Sequence, residues 1–196
     1  MADSSTVIRD LQPLSTVFDL LGRVWLTEWT AELAADWQLA APMISEMLAE
    51  PCAAVNVSDL DELGTVYCRL FIGPGDFLPL VQSVWETGQR VGAANGSMQA
   101  YFDRLACQRP IAGEPADHLG HTFWLFSRLL EGAPASERAL PVLQEYAAAH
   151  LNWARELLQR TAEVSDAAAL PYSQAARVAL LLLETVDECF AEDPVG

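Results

Sequence analysis

The sequence predicts an all-α domain. Three observations carry that prediction: apolar residues recur at helical spacing through most of the 196 residues, glycine and proline clusters cut the pattern into helix-sized lengths, and no apolar/polar alternation persists beyond a few residues.

Taken in chain order, Ser15 and Thr16 offer an N-cap to a helix whose Phe18, Leu21, Val24 and Trp25 face a core. A second stretch runs through Trp29, Leu33 and Trp37, and a short helix is expected from Ala41 to Ala49, stopped by Pro51. After a loop to Ser58, a Ser58 N-cap followed by Asp61 opens a helix with Leu63, Tyr67, Leu70 and Phe71 on one face, ending near Ile72. Gly73-Pro74-Gly75 breaks it and supplies a hinge-like connector, and Pro79 opens a short helix through Trp85. Gly92 to Gly96 is read as the next breaker, followed by Met98, Tyr101, Phe102 and Leu105 before Arg109-Pro110. Beyond Gly113-Glu114-Pro115, Leu119, Phe123, Phe126 and Leu130 form an apolar stripe that ends at Gly132-Ala133-Pro134. Two long helices complete the chain, Ser136 to about Val164 and Ser173 to Phe190. There is no internal repeat, and the whole chain reads as one domain, 1–196.

A hydrophobic fraction of 52% lets this length bury a sizeable core, which argues against a disordered or disulfide-stapled chain. The 11 cations, all arginine, face 27 acids, giving a net charge of −16 and a pI near 4.3. Such a surface repels phosphate backbones within a Debye length of roughly 8 Å, so nucleic acid is a poor partner and a basic peptide a good one. Met1-Ala2-Asp3-Ser4-Ser5-Thr6 lacks the basic and apolar regions of a secretory signal, and the most apolar run, Val178 to Leu183, is far short of a bilayer span. A cytoplasmic protein without stable membrane insertion is therefore expected. Cys52, Cys68, Cys107 and Cys189 are scattered without a C-x-x-C pair and read as ordinary thiols.

No dinucleotide fingerprint, P-loop, G-x-S-x-G or H-E-x-x-H motif occurs. The one dense polar constellation is Glu114-Pro115-Ala116-Asp117-His118 followed by His121. Placed on a helix, Glu114/His118 and Asp117/His121 would each be four apart and share a face, the basis of an alternative reading as a metal-dependent enzyme. That set supplies only half of a metal site, and capping by Glu114 and Asp117 at a helix N-terminus is favoured, with no metal, cofactor or catalytic residue expected. His150 reads as a half-buried, hydrogen-bonded residue, Trp25, Trp29 and Trp37 as packing, and Asp59, Asp61 and Glu62 as a solvated helix face.

The run Asp59-x-x-Glu62 to Tyr67-x-x-Leu70-Phe71-Ile72-Gly73-Pro74-Gly75, then Pro79 and Ser83-Val84-Trp85, resembles the signature of the TorD/DmsD/NarJ family of molybdoenzyme-specific chaperones. Glu114-Pro115-x-Asp117-His118-Leu119-Gly120 resembles the family's second motif, and His150-Leu151 with Trp153 its later helix. The resemblance spans about Ser15 to Trp153, and the Gly-Pro-Gly break resembles the DmsD/TorD branch more than the NarJ branch.

The resemblance implies a helical chaperone rather than an enzyme. Its partners would be a molybdopterin oxidoreductase catalytic subunit and that subunit's twin-arginine signal peptide, held until cofactor insertion. It places peptide binding at Gly73, Pro74, Gly75, Pro79, Ser83 and Trp85 and at Glu114, Pro115, Asp117 and His118, with Tyr67 and Phe71 in support. A basic pair followed by an apolar stretch calls for acids beside an apolar groove, and Phe77, Leu78, Leu80, Val84 and Trp85 would line it. Two further readings compete: a NarJ-like chaperone for a catalytic subunit that is not exported, and an acidic adaptor docking a partner helix. The chain is expected to act as a monomer, or as a homodimer that exchanges elements through its hinge loops.

Overall fold

A computed structural model describes residues 4–48, 55–56, 59–133 and 139–191. The elements are α1 (Ser4–Leu11), α2 (Ser15–Leu26), α3 (Ala31–Leu48), α4 (Leu60–Tyr67) with a π-helical turn at Cys68–Ile72, α5 (Gln82–Thr87), α6 (Ala93–Arg104), α7 (Leu119–Gly132), α8 (Ala139–His150), α9 (Ala154–Ala162) and α10 (Leu170–Ala191). Among the described residues there is no strand; the one extended pairing is an isolated antiparallel bridge, Val81 to His118. The all-α prediction holds.

Helices α2 and α7 form the axis of the fold, because α2 buries nearly its whole surface and α7 buries Leu119, Phe123, Phe126 and Leu130 as one stripe. Two glycines make their crossing possible. A Cβ on Gly22 would lie 2.9 Å from the Gly120 carbonyl oxygen, and one on Gly120 would lie 2.6 Å from the Gly22 oxygen and 2.4 Å from Leu26 Cγ. Around this axis Phe18 meets Phe123 and Phe126 edge-on at centroid distances of 5.6 and 4.9 Å. A second aromatic cluster, Trp25, Trp29, Trp37, Tyr67, Phe71 and Tyr172, ties α2, α3, α4 and α10 together behind the Gly73-to-Val81 connector.

Several expected boundaries are corrected. The stretches through Trp37 and from Ala41 are one helix, α3, with Pro42 inside; buried Leu33, Ala34, Trp37, Ala41 and Ile44 carry one face through the single hydrogen bond that proline removes. Gly96 is not a breaker but lies within α6, which begins at Ala93. The chain from Pro79 to Val81 is extended, and the short helix starts only at Gln82. The expected helix from Ser136 to Val164 divides at 151–153, where Ala154 N donates to Leu151 O and Arg155 N to Asn152 O, tighter bonds than an α-helix makes. Helix α1 was not expected, and α10 begins at Leu170 rather than Ser173. Ala49, Cys52, the Ser58 cap, Pro134 and Ser136 lie outside the described residues.

Candidate functional site

The two sequence motifs meet in space. The π-turn ends α4 when Gly73 N reaches back five residues to Cys68 O, at 2.6 Å, and Gly75 then turns the chain with φ of +117°, a left-handed value that glycine adopts without strain. Leu78 N returns to Leu70 O at 2.7 Å, which folds the connector back over its own helix. From there the chain runs antiparallel to the Glu114-to-His118 turn: Leu119 N donates to Leu80 O at 2.7 Å and Gln82 N to Asp117 O at 3.1 Å, on either side of the Val81–His118 bridge.

Asp117 locks the pairing. Its Oδ2 accepts from Ser83 N at 2.8 Å and Ser83 Oγ at 2.5 Å, so the carboxylate holds the start of α5 while its Oδ1 is buried without a partner. Both residues are fully buried, and hydrogen bonds to an ionised acceptor in such surroundings are the strong kind. His118 is the N-cap of α7, its Nδ1 accepting from Gly120 N at 3.2 Å. This corrects the helical placement of Glu114 to His118: those residues form a turn, Glu114 and Asp117 do not cap α7, and the two four-residue spacings do not bring carboxylates and imidazoles onto one helix face. Among the described residues, no group of three or more His, Cys, Asp and Glu side chains is arranged to hold a metal ion.

Two more histidines brace the same region. His121 accepts from Ile111 N at Nε2, at 3.4 Å, so its Nδ1–H donates to Pro115 O at 2.8 Å. Gln82 Nε2 donates to Glu86 Oε1 and Ala149 O, which leaves its Oε1 to accept from His150 Nδ1 at 3.0 Å; His150 Nε2 then accepts from Ser97 Oγ, also at 3.0 Å. Burial, which penalises the charged ring, pushes His118 down to about 3 and His150 to about 4, and lowers His121. All three rings are neutral near pH 7. Tyr67 donates to Trp25 O at 3.0 Å, and burial raises its phenol well above the ordinary value.

The residues named from the sequence thus divide by exposure. Tyr67, Phe71, Ser83, Asp117 and His118 are buried and form the frame. Pro74 and Gly75 are exposed, while Gly73, Pro79, Trp85, Glu114 and Pro115 are half-buried and accessible. Of the groove candidates, Phe77 is 41% exposed, Leu78 and Val84 are half-buried, and Leu80 is buried. Trp85 is held in place by its Nε1–H, which donates to Pro79 O at 2.6 Å.

Three arginines around this surface escaped the sequence reading. Arg90 Nη2 lies 3.2 Å from Glu114 Oε2, Arg109 Nη1 donates to Glu114 O at 2.6 Å, and the Arg160 guanidinium sits 5.3 Å from the centre of the Trp85 ring. Arg90 and Arg160 make their contacts across the fold, where no local pattern marks them, while Arg109 reaches only five residues along its own turn.

The profile of the family described as nitrate reductase delta subunit matches residues 30–163, more than half of the chain. No curated protein matches it. The matched region contains both motifs and every residue of the surface described above.

Proposed function

The chain belongs to the nitrate reductase delta subunit family, a family of molybdoenzyme assembly chaperones, and from that premise we propose that it holds the catalytic subunit of an exported molybdopterin oxidoreductase through the subunit's twin-arginine signal peptide, in the cytoplasm, until the cofactor is inserted. The observation that supports this reading is the joining of the Gly73-to-Trp85 connector to the Glu114-to-His118 turn by the Val81–His118 bridge and the Asp117–Ser83 bonds. That joint ties the turn carrying the acid Glu114 to the segment carrying a half-buried, accessible indole, the exposed Phe77 and the half-buried Leu78. A peptide with a guanidinium pair followed by apolar residues has matching chemistry.

The buried members act as positioning residues. Asp117 and Ser83 fix α5, and therefore Trp85, against the turn that carries Glu114; His118 caps α7 and keeps the turn in register. Tyr67 and Phe71 back the connector from the aromatic cluster. Binding is expected to be salt-sensitive, because the net charge of −16 attracts the basic peptide from a distance.

The same family membership is also compatible with a second reading, in which the ligand is a catalytic subunit that is not exported. Calorimetric titration distinguishes them. A twin-arginine signal peptide binding in a salt-dependent manner, with loss on Arg-to-Gln substitution, supports the first; binding of the mature apoenzyme alone supports the second and overturns the first.

A further inference from the structure

Although acids far outnumber cations in this chain, the two groups on the proposed peptide surface best suited to a guanidinium already hold one. Glu114 has Arg90, from the turn after α5, against its Oε2, and the face of Trp85 has Arg160, from α9, which Glu156 steadies one helical turn away. The third arginine differs: Arg109 donates to the Glu114 backbone carbonyl and fixes the turn rather than covering the carboxylate.

We propose that Arg90 and Arg160 are internal placeholders for the arginine pair of the ligand, and that a twin-arginine peptide binds by exchanging its guanidinium groups for these two. The inference rests on the peptide-binding reading above. Both placeholder side chains are more than half exposed, 68% for Arg90 and 56% for Arg160, so their contacts are weak and water takes them back at little cost on release. An incoming arginine restores the same contact, leaving neither an uncovered carboxylate nor an uncovered ring. Net affinity then comes from the apolar residues that follow the pair, laid on Phe77 and Leu78. The exchange also gives a physical source of specificity: lysine has no planar fork to replace the stack that Arg160 provides on Trp85, so a lysine peptide would give up a contact the free protein already has.

The test is titration of the full-length protein with a synthetic twin-arginine signal peptide and its twin-lysine counterpart. R90Q and R160Q each lower the net charge by one, so R9Q serves as the matched control; Arg9 is an exposed residue of α1, which packs on α8 and α10. R160K keeps the charge and removes only the planar stack. R90Q and R160Q are expected to bind the arginine peptide about two- to fivefold more tightly than R9Q, and R160K more tightly than the wild type by a similar factor, with unchanged helical content by circular dichroism. Equal or weaker binding by the three variants, with the wild type still binding, would overturn the placeholder role and leave the peptide site standing. No binding by the wild type or any variant would overturn both.

Discussion

Replacing Asp117 with alanine tests the joint between the two motifs. The substitution deprives the Ser83 amide and hydroxyl, both fully buried, of their acceptor. Each hydrogen bond to an ionised group contributes about 1.5–3 kcal/mol, so the pair amounts to roughly 3–6 kcal/mol. Removing a buried carboxylate whose Oδ1 has no partner offsets about 1–3 kcal/mol of that, leaving a net loss of about 2–3 kcal/mol. Ser83→Ala removes the hydroxyl bond alone, about 1.5–3 kcal/mol. Urea unfolding of the two single variants and the double variant closes a thermodynamic cycle whose coupling energy is expected at about 1.5–3 kcal/mol. Coupling below about 0.5 kcal/mol, the additivity of independent sites, would refute the latch and with it the reason Trp85 and Glu114 stay in fixed relation.

Other consequences are equally open to measurement. Gly120→Ala, whose new Cβ would press on Gly22 O and Leu26 at the α2/α7 crossing, should cost about 2–4 kcal/mol in denaturant unfolding, whereas Gly96→Ala, in open space within α6, should stabilise by about 0.5–1 kcal/mol. Phe77→Ala removes a partly exposed ring, so it should leave the unfolding midpoint nearly unchanged while weakening a twin-arginine peptide several-fold in titration. Stability should also depend on pH through the histidines. The unfolded chain takes up protons near 6.5, but folded His150 refuses one until about 4 and His118 until about 3, so stability is complete above pH 6.5 and declines as pH falls towards those values. The slope is at most about 1.4 kcal/mol per pH unit for each ring, and urea midpoints of His150→Gln across pH 4–7 should vary less than those of the wild type.

The helical class was legible because one-sided apolar stripes such as Leu119, Phe123, Phe126 and Leu130 repeat with the helix period, a property of nearest neighbours in sequence. Gly73-Pro74-Gly75 was legible as a break for a similar local reason. Helix α3 shows where local rules mislead: the stretch through Trp37 and the helix from Ala41 read as separate, yet burial on either side of Pro42 carries one helix through and outweighs the one lost hydrogen bond. The helix boundary at His150 had no glycine or proline to announce it, and the chain turns there where the side chain of His150 is committed to Gln82 and Ser97 on other helices.

Much of the candidate site was legible as motif and little of it as geometry. The sequence places Glu114 and His118 four residues apart but says nothing of the partner backbone, extended Leu80 and Val81 and the first residue of α5, Gln82, that keeps the segment out of a helix. For the same reason Asp117 read as an available surface acid, when its distant partner Ser83 draws it into the interior. Gly120, part of the second motif, serves a close approach to Gly22 of α2, a separation no local pattern encodes.

The central claim is that the connector and the turn together receive the peptide. Hydrogen–deuterium exchange of the full-length chain, with and without a twin-arginine signal peptide, tests it most directly. Protection confined to residues 73–85 and 114–118, with the surface at Asn56, Glu62 and Pro171 unchanged, is the predicted result. Protection elsewhere, or none at saturating peptide, would contradict the account.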